Sequence, residues 1–300
     1  MNKINLNKKY KGIIYIILSA FSFAVMNVFV RMAGDLPSVQ KSFFRNLVAF
    51  FFAIAVMKRQ RIWISDPKAN LPRLILRSTF GTIGILCNFY AVDHLVLADA
   101  SMLSKMSPFF AIIFSFLILG EKVKLAQGLC VAGAFIGSLF IIKPTFVNMD
   151  LVPSLIGLAG GLCSGAAYTL VRSLGERGEK GPFIVFFFSG FSCLVTLPYL
   201  IFSYHPMSGF QLGMLMLAGL AASGGQFSIT AAYCNAPARE ISVYDYSQII
   251  FSALLGLFIF GQVPDWLSWC GYVIICSMAV IMFLYNNGRL EVKKYKEITR

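Results

Sequence analysis

From residue 12 to residue 288 the chain is a succession of long apolar runs separated by short polar breaks. Residues 12–30, 125–142, 151–171, 181–204, 206–238, 246–264 and 266–288 contain no Asp, Glu, Lys or Arg. Crossing the ~30 Å hydrocarbon core of a bilayer takes about 20 apolar residues at about 1.5 Å rise each. Three more segments, 39–57, 71–92 and 97–119, have the length but hold a few ionisable side chains. The pattern therefore predicts ten helical spans, near 11–33, 39–57, 71–92, 97–119, 124–142, 151–171, 182–203, 210–233, 239–260 and 266–285. The fold class is an all-α polytopic membrane protein. The first apolar run lacks a small-residue cleavage site and is read as a retained span.

Charge adds an orientation. The chain is 58% hydrophobic, only 13% charged and carries a net charge of +13. In a soluble chain that excess would suggest nucleic acid; here its distribution over the loops matters more. Basic residues crowd alternate segments: Lys3 to Lys11, Lys58 to Arg77, Lys122 and Lys124, Arg172 to Lys180, Arg239, and Arg289 to Arg300. The intervening loops hold only Arg31, Lys41 and Lys143. By the positive-inside rule both termini are expected in the cytoplasm, with the protein in the cytoplasmic (inner) cell membrane. The 7 cysteines show no metal or redox spacing and there are only 2 histidines. No metal, cofactor or nucleic-acid partner is expected.

A repeat underlies the ten runs. Shifting the chain by 141 residues brings "VRMAG" (30–34) over "VRSLG" (171–175), Gly84 over Gly225, Ala91 over Ala232 and Ser101 over Ser242. Asp99 falls opposite Glu240, Asn27 opposite Tyr168, and "LGEKV" (119–123) opposite "FGQVP" (260–264). The expected organisation is a tail (1–10), a five-span repeat (11–143), a second (144–285) and a basic tail (286–300). Five is odd, so the second repeat enters the membrane in the opposite sense. Inverted repeats of this kind recur in secondary transporters, with the substrate site near the midplane.

The segments "LSAFSFAVMNVFVRMAG", "FFRN" and "SPFFAIIFSFLILGEKV", with "GLCSGAAYTLVRSLG" and "SQIIFSALLGLFIFGQV" as their repeats, resemble the drug/metabolite transporter superfamily, EamA branch. The resemblance covers roughly residues 11–285. It implies two five-helix bundles around a central cavity lined by spans 1, 3, 4, 6, 8 and 9, working by alternating access. The sequence departs from it at Gln262, which stands opposite Glu121, and in lacking a repeat mate for Arg45.

Candidate site residues follow from the cost of charge in lipid. A lysine near a helix centre costs about 2.5–3.5 kcal/mol on insertion scales, so Lys105 needs compensation. At helical spacing Ser101, Ser104, Lys105, Pro108 and Ser115 share one face of span 4. Pro108 cannot donate to the Ser104 carbonyl. Span 9 carries the equivalent stripe of Ser242, Asp245 and Tyr246. Lys105 and Asp245 are expected to face the cavity within reach of each other, either as a fixed lock or as part of the binding site. Asn88, Gln226, Asn27 and Tyr168 are further cavity candidates. Arg45 is expected to form an ion pair or to snorkel, Asp99 and Glu240 to favour the helix dipoles at the starts of spans 4 and 9, and Glu121 to anchor a loop.

The expected activity is secondary transport of a small polar metabolite, an amino acid or related compound. Export is favoured and coupling to protons expected, through a partnership with the lipid bilayer. A nucleotide-like or vitamin-like cargo moved inward is the alternative. A lipid-acting membrane enzyme would need a clustered acid/base or metal constellation, and a scaffold would need large soluble parts; the sequence offers neither. Monomer and dimer both remain compatible with it.

Overall fold

A computed structural model describes residues 3–62, 70–95, 102–142, 151–261 and 263–287. Among these the regular structure is entirely helical, with ten stretches long and apolar enough to cross a membrane. The long helices are α1 (Lys3–Met32), α2 (Ser38–Arg59), α3 (Leu71–His94), α4 (Ser107–Leu119) and α5 (Leu125–Ile142). They continue as α6 (Leu151–Glu176), α7 (Gly181–Phe202), α8 (Gly209–Asn235), α9 (Ser247–Phe260) and α10 (Trp266–Asn286). The ten expected spans are all found; most described boundaries agree to within about five residues, but α1 begins eight residues before its expected start and the regular α-helix of the ninth span begins eight residues after its own.

Local chemistry sets many of those boundaries. Prolines occupy the first turns of α3, α4 and α7, where a missing N–H costs nothing and φ is already helical. Ser208 and Gln211 form a reciprocal capping box at α8, and Asp265 accepts from the Ser268 amide at α10. Helices α4 and α9 both end on a left-handed glycine, Gly120 and Gly261, each with φ of 65°. A side chain there would be strained.

Two of the ten spans are broken. Residues 102–104 are helical, the helix stops in a turn at Lys105–Met106, and α4 restarts at Ser107. In the ninth span a one-turn helix, Ala238–Ile241, passes into a 3₁₀ segment, Ser242–Tyr246, before α9. Pro108 gives the first break a covalent reason. The second lies within a stretch free of proline and was not expected as 3₁₀.

Large apolar side chains point outward all around, among them Phe51, Leu117, Phe202, Phe258 and Trp266. In lipid such surface gains nothing by burial, so helices associate through close packing at small residues. The extensive contacts are α1 with α8, α3 with α6, α5 with α10 and α2 with α7. A Cβ on Gly84 would lie 2.8 Å from Ser164 Oγ, and one on Gly225 2.7 Å from the Phe23 ring. Both pairs of neighbours follow the 141-residue offset read from the sequence.

Candidate functional site

The breaks in spans 4 and 9 face each other inside the bundle. Lys105 Nζ stands 3.4 Å from Asp245 Oδ2 and donates to Gln248 Oε1 at 2.8 Å. Only 12% and 11% of the Lys105 and Asp245 side chains are exposed. The Tyr246 hydroxyl donates to the Lys105 carbonyl at 3.0 Å. That carbonyl lacks its usual intrahelical donor because the Phe109 amide bonds back to Met106. The freed oxygen that finds a partner here is thus that of Lys105; the sequence pointed to Ser104. Freed backbone at membrane depth is tolerated only where protein or a wet cavity satisfies it, and Tyr246 does so.

An aromatic cluster adjoins the pair. Tyr168 of α6 stacks on Tyr233 of α8 with ring centroids 5.0 Å apart and planes at 12°. Tyr233 and Tyr246 are buried, and both lie within electrostatic reach of Asp245. Ser242 is buried beside Tyr233. Tyr168 lies within electrostatic reach of Asp245 on one side and of Arg45 and Arg77 on the other.

The other candidates divide. Gln226 is buried and its amide has no hydrogen-bond partner among the described residues; Asn88 is half-buried and also unbonded. Asn27 is exposed. Pro108 is buried at the start of α4, and Glu240 sits in the first turn of the one-turn helix. Asp99 and Ser101 lie outside the described residues, as does Gln262. Among the described residues Arg45 makes no ion pair. Its guanidinium stands 5.7 Å from the Phe23 ring centroid and its Nε is buried without a hydrogen bond.

Three features escaped the sequence reading. Arg77 was counted among the cytoplasmic loop charges, yet it belongs to the second turn of α3, is 2% exposed and lies 3.7 Å over the Phe188 ring. Gln248 follows Asp245 by three residues, the helical spacing that would have flagged it. Arg172 lies inside α6, beyond the expected end of span 6. Its Nε meets Glu121 Oε1 at 3.2 Å, and its Nη2 meets Glu176 at 2.8 Å. Glu121 also accepts from Ser115 at 2.7 Å. It therefore does more than anchor a loop: it ties the end of α4 to α6. At the opposite ends of the helices Gln40 and the His205 backbone exchange two hydrogen bonds, and Gln211 donates to the Ala33 carbonyl.

The sequence profile of the EamA-like transporter family matches residues 10–143 and again 152–284. The chain belongs to this family. It is a multi-pass membrane transporter of small solutes rather than an enzyme. It is 32% identical over 279 residues to the pseudopaline exporter CntI of Pseudomonas aeruginosa, covering 92% of this chain and 97% of that one. It is 25% identical over 286 residues to a riboflavin transporter of Rhizobium johnstonii, covering 94% and 93%. A crystal structure of a protein with 14% sequence identity superposes with a TM-score of 0.79, over 93% of this chain and 99% of that one, which establishes the shared fold.

Proposed function

We propose that this transporter exports a small polar metabolite, an amino acid or related compound, by alternating access between two inverted five-span repeats. The observation that carries the reading is the Lys105–Asp245–Gln248 cluster, held where spans 4 and 9 both break. Discontinuous helices near the midplane are where secondary transporters build solute sites. The paired glycine caps and paired close approaches 141 residues apart support the two-repeat organisation. Likeness to the pseudopaline exporter supports the outward direction. The basic loops support cytoplasmic termini in the inner membrane.

The cluster also suggests the coupling. In the solute-free state Lys105 and Asp245 neutralise each other. A zwitterionic solute would engage both, its carboxylate at the lysine and its ammonium at the aspartate. Protonation of Asp245 would release that ammonium, linking solute movement to the proton gradient. A vitamin-like cargo is a second reading, favoured by the Tyr168–Tyr233 stack and by the riboflavin-transporter relative. Proteoliposomes loaded with labelled amino acids decide between them. Efflux driven by an imposed pH gradient, and abolished in Lys105→Met, is the expected result. Movement of riboflavin alone would favour the second reading, and no solute movement under any gradient would defeat both.

A further inference from the structure

The described interior of the bundle, away from the helix ends, holds four charged side chains: Arg45, Arg77, Lys105 and Asp245. Lys105 and Asp245 answer each other. Neither arginine makes an ion pair or a hydrogen bond among the described residues, and the Nε of each is buried without a partner. Both guanidinium groups rest instead on aromatic faces, Phe23 at 5.7 Å and Phe188 at 3.7 Å. They are also within electrostatic reach of each other.

Two like charges in mutual view, without a counter-ion, make an arrangement that burial and repulsion both disfavour. A structural arginine at membrane depth normally has an acid or a set of backbone carbonyls; among the described residues these have neither. Their depth fits a shared role. Arg45 lies about 10 Å along α2 from one face, and Arg77 about 9 Å along the antiparallel α3 from the other, which is within two long side chains of meeting across a ~30 Å core. Tyr168, within reach of both, offers a neutral hydroxyl beside them. Guanidinium groups present planar forks of donors that match carboxylate and phosphate oxygens.

We propose that Arg45 and Arg77 form an oxyanion subsite, so that the cargo of this transporter bears a carboxylate or phosphate group that supplies the missing negative charge. The proposal rests on the transport reading and revises one contact in it: the oxyanion of the cargo is held by the two arginines rather than by Lys105. The oxyanion end of the cargo is held by the two arginines and Tyr168, and the remainder extends past the tyrosine stack toward Asp245. The cation near Asp245 and the anion near the arginines then give the site a direction, which a fixed Lys105–Asp245 pair alone does not.

The test uses full-length protein purified in detergent, with thermal unfolding followed for wild type, Arg45→Gln and Arg77→Gln. The added probes are glutamate, citrate, inorganic phosphate and adenosine monophosphate, each against sodium chloride of matched ionic strength. At least one oxyanion is expected to raise the wild-type midpoint beyond the chloride control. Each variant is expected to weaken that apparent affinity at least tenfold while unfolding, without ligand, at or above the wild-type temperature, because an uncompensated buried charge has been removed. Response to glutamate and citrate assigns a carboxylate cargo; response to phosphate and the nucleotide assigns a phosphate one. The proposal is overturned if no oxyanion exceeds chloride, if the shifts survive in both variants, or if both variants unfold markedly earlier without ligand, as a structural pair would. Solute flux in liposomes carrying wild type or either variant separates this from the transport reading. Flux unchanged by either variant sinks the subsite alone, whereas oxyanion binding through the arginines with no flux sinks the transport reading alone.

Discussion

Tyr246 donates its hydroxyl hydrogen to the main-chain carbonyl of Lys105 at 3.0 Å, and the two residues are 141 positions apart. That separation is the repeat offset, so under the two-repeat reading each residue touches its own counterpart. A residue can meet its mate only on the axis that relates the two halves. The breaks in spans 4 and 9, the ion pair and the adjoining tyrosines then all lie on or beside that axis, the element on which a rocking motion would turn.

Removing the hydroxyl tests the mechanical side of this contact. Tyr246→Phe keeps the ring and its packing but leaves the Lys105 carbonyl buried without a donor. Loss of one partner of a buried hydrogen bond costs about 1–3 kcal/mol. A loss of unfolding free energy of that order is expected in detergent, with Tyr244→Phe nearer to wild type because its hydroxyl donates to nothing among the described residues.

The Lys105–Asp245 pair calls for a double-mutant cycle. Breaking a fully buried pair from one side costs about 3–5 kcal/mol, and replacing both partners costs far less. With about a tenth of each side chain exposed, values at the lower end are expected for Lys105→Met and for Asp245→Leu. Lys105→Met with Asp245→Leu should recover most of the loss. Additive single effects would mean that the two charges do not stabilise each other. Transport should fail in all three variants, which separates the site's contribution to stability from its contribution to function.

Much of this was legible beforehand, for a physical reason. Charges and prolines are rare in lipid-spanning helices, so Lys105, Asp245 and Pro108 drew notice from sequence alone, and the pair is found in contact. Arg77 was not legible because loop-charge counting treats a basic residue near a span's edge as belonging to the loop. Only the packing of Phe188 and Gly81 against it shows that it turns inward. The 3₁₀ segment at Ser242–Tyr246 was hidden for a different cause. Its sequence has no breaker, and its tight turn is imposed by contacts with α1, α4, α5 and α10. The span ends were legible because hydropathy reports them directly, whereas the inner face of α2 depends on neighbours that no single helix reveals.

The two symmetric close approaches should not respond alike. At Gly84 an added Cβ would lie 2.8 Å from Ser164 Oγ, 3.2 Å from the Ser164 amide nitrogen and 3.3 Å from the Gly160 carbonyl oxygen, so backbone would have to move. At Gly225 its three nearest neighbours are all atoms of the Phe23 ring, the nearest at 2.7 Å, and a ring can swing. Overpacking a tight site costs about 1–3 kcal/mol. Gly84→Ala is expected in that range, measured by thermal unfolding, and Gly225→Ala below it. Equal losses would show that the α3–α6 and α1–α8 interfaces yield to the same degree.

The Arg172–Glu121 contact joins the end of α4 to α6, and Arg172 Nη1 also donates to the Cys234 carbonyl at 3.4 Å. Arg239 adds a second link, donating to the Lys122 carbonyl at 2.8 Å. These bonds lie at the basic end of the bundle and must part if that end opens. A partly exposed pair of this kind is worth about 1 kcal/mol, a roughly fivefold change in a closed-to-open equilibrium. In a background where Cys234 is the sole cysteine, Arg172→Ala should therefore speed its modification by a water-soluble maleimide about fivefold, and Glu121→Gln should do the same. The reagent should act from the cytoplasmic side in inverted vesicles and not from the outside of right-side-out ones, which tests the orientation read from the loop charges in the same experiment. Unchanged labelling in both variants would mean that the contact decorates a face already open, and the latch would have to be sought at Gln40 and His205, where the other ends of the helices meet.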